Sequence, residues 1–326
     1  MKGRVVAAVV VSVLLLGGAA GYVVAAGRRD RPAAAAAGAV DAGPGDRILF
    51  RSTAPDSYGR VATVARAAPT GTRTISGVSC DRVAAAGGSV ICLRPDGPLA
   101  TFQLAVLDSR LTTRESYPLV GVPNRARVSP SGHLLAWTVF VTGDSYNGDR
   151  FSTRAGMLDT ATGETVDTLE TFTITRDGRP YRNADVNFWG ITFADDQHFY
   201  ATMATAGRRY LVAGDVTGQS VRTLATGVEC PSLSPDGRHL AFKQAIGGDP
   251  ARGWHLSVLD LSTLARTRLA ETRSVDDQPA WLDNHTVIYA IRRGTRQSDV
   301  WSTPADGTGR PAILIPDAES PTALWP

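Results

Sequence analysis

Lysine is nearly missing from this chain: only Lys2 and Lys243 stand among 34 basic residues, so arginine carries the positive charge. With the richness in alanine, this reads as coding bias rather than recognition. Nor is there a basic surface to find. The net charge is +3, but residues 1–31 hold Lys2, Arg4, Arg28, Arg29 and Arg31 against Asp30, which leaves about −1 for the remainder. That balance excludes the electrostatic footprint of a nucleic-acid binder. Catalytic signatures are absent too. No G-x-S-x-G elbow, H-E-x-x-H pair, P-loop or strand-borne G-x-G-x-x-G occurs, so no hydrolase, zinc-peptidase or nucleotide motif is written locally. No cysteine follows the N-terminal apolar run, which argues against a lipoprotein.

What is present is repetition. Cys230 to Gln244 (CPSLSPDGRHLAFKQ) reads as a short strand, a Ser-Pro-Asp-Gly turn and a returning alternating strand; proline fixes φ and glycine accepts a positive one. Ala126 to Phe140 repeats it closely, Asn187 to Thr202 and Gln278 to Ile291 repeat it with a shorter turn, and Cys80 to Leu93 is a degenerate copy. A second hairpin follows, from Arg154, Arg209 and His255. Two hairpins make a four-stranded antiparallel blade.

The spacings are 45 residues from Ala84 to Ser129, 40 from Ala194 to Ser234 and 48 from Ser234 to Leu282. Periods in this range signal a β-propeller. Arg47 to Arg51 matches a second strand with no first strand before it, and Thr322 to Pro326 a first strand with no second after it. One blade is therefore split, with the C-terminal strand innermost, and the ring closes without a free edge. The expectation is an all-β, six-bladed propeller of four-stranded antiparallel blades over residues 46–326, preceded by one hydrophobic helix.

That helix falls in residues 1–27. Val5 to Ala26 carries no charge, and its 22 residues would span about 33 Å as a helix, enough for a bilayer core. It is a signal anchor or a cleaved signal peptide, with Lys2 and Arg4 as the basic start. Either way the rest is extracytoplasmic: membrane-anchored by a single span with the N-terminus inside, or secreted. Residues 28–45, rich in Ala, Gly and Pro, read as a tether.

The SPDG-then-LAF hairpins resemble the repeats of TolB-like propellers, six-bladed domains of the cell envelope. The resemblance covers about residues 46–326 and lacks the extra N-terminal α/β domain of TolB itself. It implies a fold rather than an activity, since such blades serve both binding proteins and the non-catalytic domains of peptidases. The closing strand at the C-terminus leaves no hydrolase domain to follow, so a peptidase is not expected.

Candidates for chemistry mostly dissolve into the repeat. His133, His198, His239 and His285 share one place after the turn, far apart around a ring, which does not suit a metal. Asp195 and Asp196 stand where Pro235 and Asp236 stand in the reference turn. Asp108, Asp159, Asp215 and Asp260 recur at each blade's second turn, where carboxylates accept backbone hydrogen bonds. No cofactor is called for. The oxygen-rich runs Asp144 to Asp149 and Asn183 to Asn187 do not fit a calcium loop, because Tyr146 and Gly148 fill ligand positions of the first.

Cys80 and Cys92 lie on neighbouring strands of one hairpin, which suggests a disulfide in an oxidising compartment. The reference register instead sets Val83 against Val90 and Cys80 on the opposite face from Cys92, unless a bulge intervenes. Cys230 is expected to be a buried free thiol.

The gap from Ser129 to Ala194 is 65 residues, longer than its neighbours because of two insertions, Val141 to Ser152 and Thr171 to Val186. Both are expected side by side on one face. They bear Asp144, Tyr146, Asn147, Arg150, Tyr181, Arg182 and Asp185, with Asn187 and Trp189 opening the next strand and Trp189 in the core. Tyrosine and arginine favour interface anchors, and function on scaffolds collects in loops. The expected protein is a non-catalytic, monomeric propeller that binds an envelope protein or polymer through this face. The alternative is a propeller-type hydrolase or lyase with an acidic site at the channel mouth.

Overall fold

The computed structural model describes residues 38–97, 101–141 and 152–325. Val5 to Ala26, and with the first insertion Asp144, Tyr146, Asn147 and Arg150, lie outside the described residues. Among the described residues no helix is long and apolar enough to cross a membrane.

Alternation of apolar and polar residues between turn signals yields six antiparallel sheets. Blade 1 contains β1 (Arg47–Ser52), β2 (Arg60–Ala65) and β3 (Thr74–Ser79). Blade 2 is β4 (Arg82–Ala86), β5 (Ser89–Asp96), β6 (Thr101–Asp108) and β7 (Thr113–Leu119). Blade 3 is β8 (Val122–Val128), β9 (Leu134–Val141), β10 (Ser152–Asp159) and β11 (Thr165–Val166). The next hairpin, β12 (Thr173–Arg176) and β13 (Arg179–Tyr181), precedes blade 4: β14 (Asn187–Phe193), β15 (His198–Thr205), β16 (Arg208–Asp215) and β17 (Ser220–Thr226). Blade 5 is β18 (Glu229–Leu233), β19 (His239–Ala245), β20 (Trp254–Asp260) and β21 (Arg266–Arg268), and blade 6 is β22 (Ala280–Trp281), β23 (Thr286–Arg292), β24 (Ser298–Pro304) and β25 (Ala312–Ile315). Strand β26 (Ala318–Leu324) then pairs with β1, giving the order β26-β1-β2-β3. The expected split blade closes the ring.

The reference turn is held by its own side chains. In blade 5, Gly237 (φ 71°) donates its N–H to Ser234 O at 2.9 Å, while His239 N donates to Ser234 Oγ at 2.9 Å. Ser129 and Leu134 repeat the hydroxyl contact in blade 3 at 3.0 Å. At the second turns, Asp108, Asp159, Asp215 and Asp260 each accept backbone N–H bonds through Oδ1.

Core packing follows the period of two. Ile48 and Phe50 of β1 pack with Ile288 and Val300 of blade 6, while Leu49 between them packs with Val90 and Cys92 of blade 2. Six such apolar clusters fill the six seams between blades. Stability therefore lives between blades, and the axis is left to other uses.

Two expectations change. In blade 2, Val83 opposes Cys92, and Ala85 opposes Val90. The cause is a two-residue turn, Gly87-Gly88, with φ of 55° and 81°, the conformation of a tight hairpin, where the reference turn has four residues. The second insertion is not a loop on one face. Its β12–β13 hairpin adds to the outer edge of blade 4, with β12 parallel to β17. Asp177 (φ 52°) and Gly178 (φ 76°) make the turn.

The structure joins Cys80 and Cys92 by a disulfide with Cα atoms 5.4 Å apart. Cys80 lies beyond the end of β3, outside the ladder of β4, so the side-of-strand argument does not govern it; its N–H bonds Gly59 O at 3.0 Å. Cys230 is a buried free thiol.

Candidate functional site at the connector face

In this topology the ring has two unlike faces. One carries the first-to-second and third-to-fourth strand turns and is called the turn face. The connector face carries the second-to-third connections and the links between blades. The axial channel opens to a cavity of about 640 Å³ on the turn face and about 710 Å³ on the connector face. Side chains crossing the axis separate them. Gln278 donates to Ile191 O (3.2 Å) and Pro231 O (3.0 Å), and Arg127 Nη2 reaches Pro279 O at 2.6 Å from the opposite side of the ring. Burial depresses the Arg127 guanidinium to about 10, still charged at neutral pH.

The two cavities differ in chemistry. The turn-face mouth is walled by Ala84 to Ala86, Phe193, Leu233, Trp281 and Trp325, with Arg127 at its floor. The connector-face mouth gathers Arg82, Arg125, Arg209, Lys243 and Arg292 with Glu229, Asp276, Asp277 and Glu319, and with Trp189, Trp254 and Phe140. These come from all six blades, mostly from the two inner strands and the connectors, with Arg209 and Trp254 from the starts of the third strands β16 and β20.

Opposite charges are interleaved there. Lys243 Nζ bonds Asp276 Oδ1 and lies 4.3 Å from the Trp254 ring centroid. Trp254 Nε1 donates to Glu229 Oε1 at 3.2 Å. Burial lifts the Asp276 carboxyl, but Lys243, Arg125 and Arg292 outweigh it and hold the group below the usual range. Across the mouth, Arg125 Nη1 is 3.8 Å from Asp277 Oδ1, and Arg125 Nη2 donates to Asp276 O at 3.4 Å. Burial pulls that guanidinium down, yet Cys230, Asp277 and Asp276 more than compensate. Its Nε is buried without a hydrogen-bond partner.

The sequence-derived candidates are placed as follows. Asn187 is buried and bonds Ser152 Oγ, Thr153 O and Glu170 Oε1, so it stitches blade 3 to blade 4 although it also edges the mouth. Tyr181 Oη meets Thr205 Oγ1 at 2.8 Å. Asp185 accepts from Thr205 Oγ1 (2.5 Å) and Ala206 N (2.6 Å), capping a turn on the connector face. Arg182 is exposed and lines a separate cavity of about 500 Å³ within the insertion. Trp189, expected in the core, is half-buried and faces the axial mouth. The repeat histidines sit on the turn side, where His198 pairs with Asp195 at 3.0 Å and His133 with Asp196 at 3.5 Å. Among the described residues no group of three or more His, Cys, Asp or Glu is placed to hold a metal ion.

Sequence reasoning missed Arg82, Arg125, Lys243, Asp276 and Glu319, which lie far apart along the chain. Lys243 alone gave a signal, as the single lysine outside the first four residues.

No family model and no curated protein matches the sequence. Solved structures do match. TolB from Acinetobacter baumannii aligns at TM-score 0.61 with 18% identity, over 87% of this chain and 68% of that one. The fold is a TolB-like six-bladed propeller. A putative TolB from Agrobacterium tumefaciens aligns at TM-score 0.50 with 12% identity, over 84% of this chain and 90% of that one. A chain of a Nidogen/Laminin complex aligns at TM-score 0.54 with 12% identity, over 86% and 98%. These likenesses fix the TolB-like fold and leave the activity to the site.

Proposed function

We propose that this TolB-like propeller is an extracytoplasmic, membrane-tethered binding module that recognises an envelope protein or polymer through its connector-face mouth. The observation that carries the reading is the mouth itself: a concave cavity of about 710 Å³ with interleaved charges and aromatic side chains. Such a mixture of polar groups and aromatic walls is what ligand sites use to orient a partner. Its carboxylates Asp276 and Asp277 are each engaged by a cation, Lys243 and Arg125, an arrangement suited to recognition.

Orientation supports the same reading. Residues 38–46 run along the turn face: Gly38 N bonds Ile75 O, Ala42 N bonds Ser109 O and Gly45 N bonds Trp325 O. The chain before Gly38 therefore joins the propeller on the turn side. A membrane attachment through Val5 to Ala26 would thus enter on the face opposite the charged mouth and leave that mouth unobstructed.

The test is site-specific photo-cross-linking in intact cells. A photoreactive residue replaces Arg292 or Arg209 on the connector face, or Arg238 or Asn284 on the turn face. Adducts from the first pair and none from the second are expected. Adducts confined to the turn face would refute the assignment.

A further inference from the structure

Beside the main mouth, where closing strand β26 meets blades 2 and 6, lies a second cavity of about 190 Å³. Four guanidiniums line it, those of Arg51, Arg82, Arg292 and Arg296, with Tyr58 among them. Only two carboxylates line the cavity itself, Glu319 and Asp81, while Asp276 and Asp277 of the main mouth act on Arg292 and Arg82 from farther off and are matched there by Lys243 and Arg125. Glu319 is already spent, accepting from Arg51 Nη1 (2.8 Å), Arg82 Nη1 (3.3 Å) and Ser298 Oγ (3.1 Å). Asp81 stands 3.9 Å from Arg51. Burial holds its carboxyl above the usual range against the pull of Arg51 and Arg82.

The cluster thus carries two more positive than negative charges in a propeller whose total is about −1. Like charges gathered with too few counterions repel, and part of the donor set is also free. Among the described residues, Arg292 and Arg296 have no carboxylate within ion-pair distance, and Arg82 Nη2 donates no hydrogen bond, although Arg82 Nε and Nη1 do. The guanidiniums of Arg51 and Arg296 lie 4.6 and 4.5 Å from the Tyr58 ring centroid. Arg51 already spends its Nε on Cys80 O (2.7 Å) and its Nη1 on Glu319, so the N–H edge open to a ligand is that of the exposed Arg296.

We propose that this cavity binds a dianionic phosphoryl group. Two excess charges ask for a dianion, and several forked donors match phosphate oxygens better than the two oxygens of one carboxylate. Arg82, Arg292, Ser298 and Glu319 border both this cavity and the main mouth. The inference rests on the binding reading above and deepens it: a ligand lying in the mouth places its phosphoryl group here. The group comes from a phosphorylated envelope polymer or from free phosphate.

The test is calorimetric titration of the full-length chain, in detergent, with inorganic phosphate, glycerol 3-phosphate and glucuronate. The Arg292→Ala/Arg296→Ala variant removes two exposed side chains without touching a seam, and Arg310→Ala is the exposed control. Saturable phosphate binding is expected, weakened roughly tenfold or more in the double variant, since charge-assisted bonds are the strong ones. Arg310→Ala should bind as the native chain does, and glucuronate more weakly. Tighter binding of the ester assigns the site to a polymer-borne group, and tighter or equal binding of inorganic phosphate to free phosphate. No saturable phosphate binding, equal binding by the double variant, or glucuronate binding as tightly as phosphate would overturn the proposal. If phosphate fails while the connector-face cross-links persist, the phosphoryl assignment falls alone. If the cross-links fail while phosphate binds, the recognition reading falls and this site stands.

Discussion

Removing the Cys80–Cys92 disulfide gives a measurable quantity that bears on compartment as well as stability. The bond spans a sequence separation of 12, and closing a loop of that size restrains the unfolded chain by about 3 kcal/mol. Both residues sit in the apolar seam between blades 1 and 2, so the bond pins the link between those blades to β5. The Cys80→Ala/Cys92→Ala chain should therefore unfold in urea at a midpoint lower by about 1 M, taking a slope of about 3 kcal/mol/M. Tryptophan fluorescence reports the transition, and reductant should move the native midpoint but not that of the variant. Alkylation in denaturant should count one thiol, Cys230, before reduction and three after. Coincident native midpoints with and without reductant would refute the energetic reasoning. Three free thiols in protein isolated from its source compartment would refute an oxidising location.

Two further predictions follow from hydrogen-bonded ionisable groups. Tyr289 is fully buried, and its Oη donates to Glu271 Oε2 at 2.8 Å; Tyr289→Phe should cost about 1–2 kcal/mol, read from the urea midpoint, and an unchanged midpoint contradicts it. His198 titrates above its ordinary value because Asp195 bonds and attracts its ring. Its folded-state value being raised, any stability it confers is fully present below about pH 6.5 and is lost as pH rises through the folded value. An NMR titration should show that raised value, and Asp195→Asn should return it to the ordinary range.

The ring was legible because its signals are local. Ser234 to Gly237 and Ser129 to Gly132 specify their turns with their own hydroxyls and glycines, and Ile48, Leu49 and Phe50 declare both faces of one strand. The blade 2 register departs from the template since Gly87-Gly88 makes a shorter turn. For the second insertion the sequence carries a signal that its excess length masks: Asp177-Gly178 sits between alternating residues, a hairpin pattern. The outer edge of blade 4, where that hairpin docks, could not be read at all, since β12 pairs with β17 more than 40 residues later.

The mouth was hidden for a different reason. Seam residues announce themselves by apolar alternation, whereas the charged residues of the mouth are scattered, Arg82, Arg125 and Glu319 on inner strands, Lys243 on β19 and Asp276 in a connector, with no shared spacing. Arg82, Arg125, Lys243, Asp276 and Glu319 meet only because six inner strands converge on the axis. This separation also means that stability and recognition draw on different residues. The seams are filled by apolar side chains, while Arg209, Arg292 and Arg296 border the cavities without entering any seam cluster. Coding bias accounts for arginine over most of the surface, but it does not account for a lysine at the mouth. Lys243 presents a compact point charge to Asp276 on one side and the Trp254 ring on the other. A planar guanidinium, broader and forked, would have to displace one of the two. The exception to the composition therefore falls where the geometry has the most to gain from it.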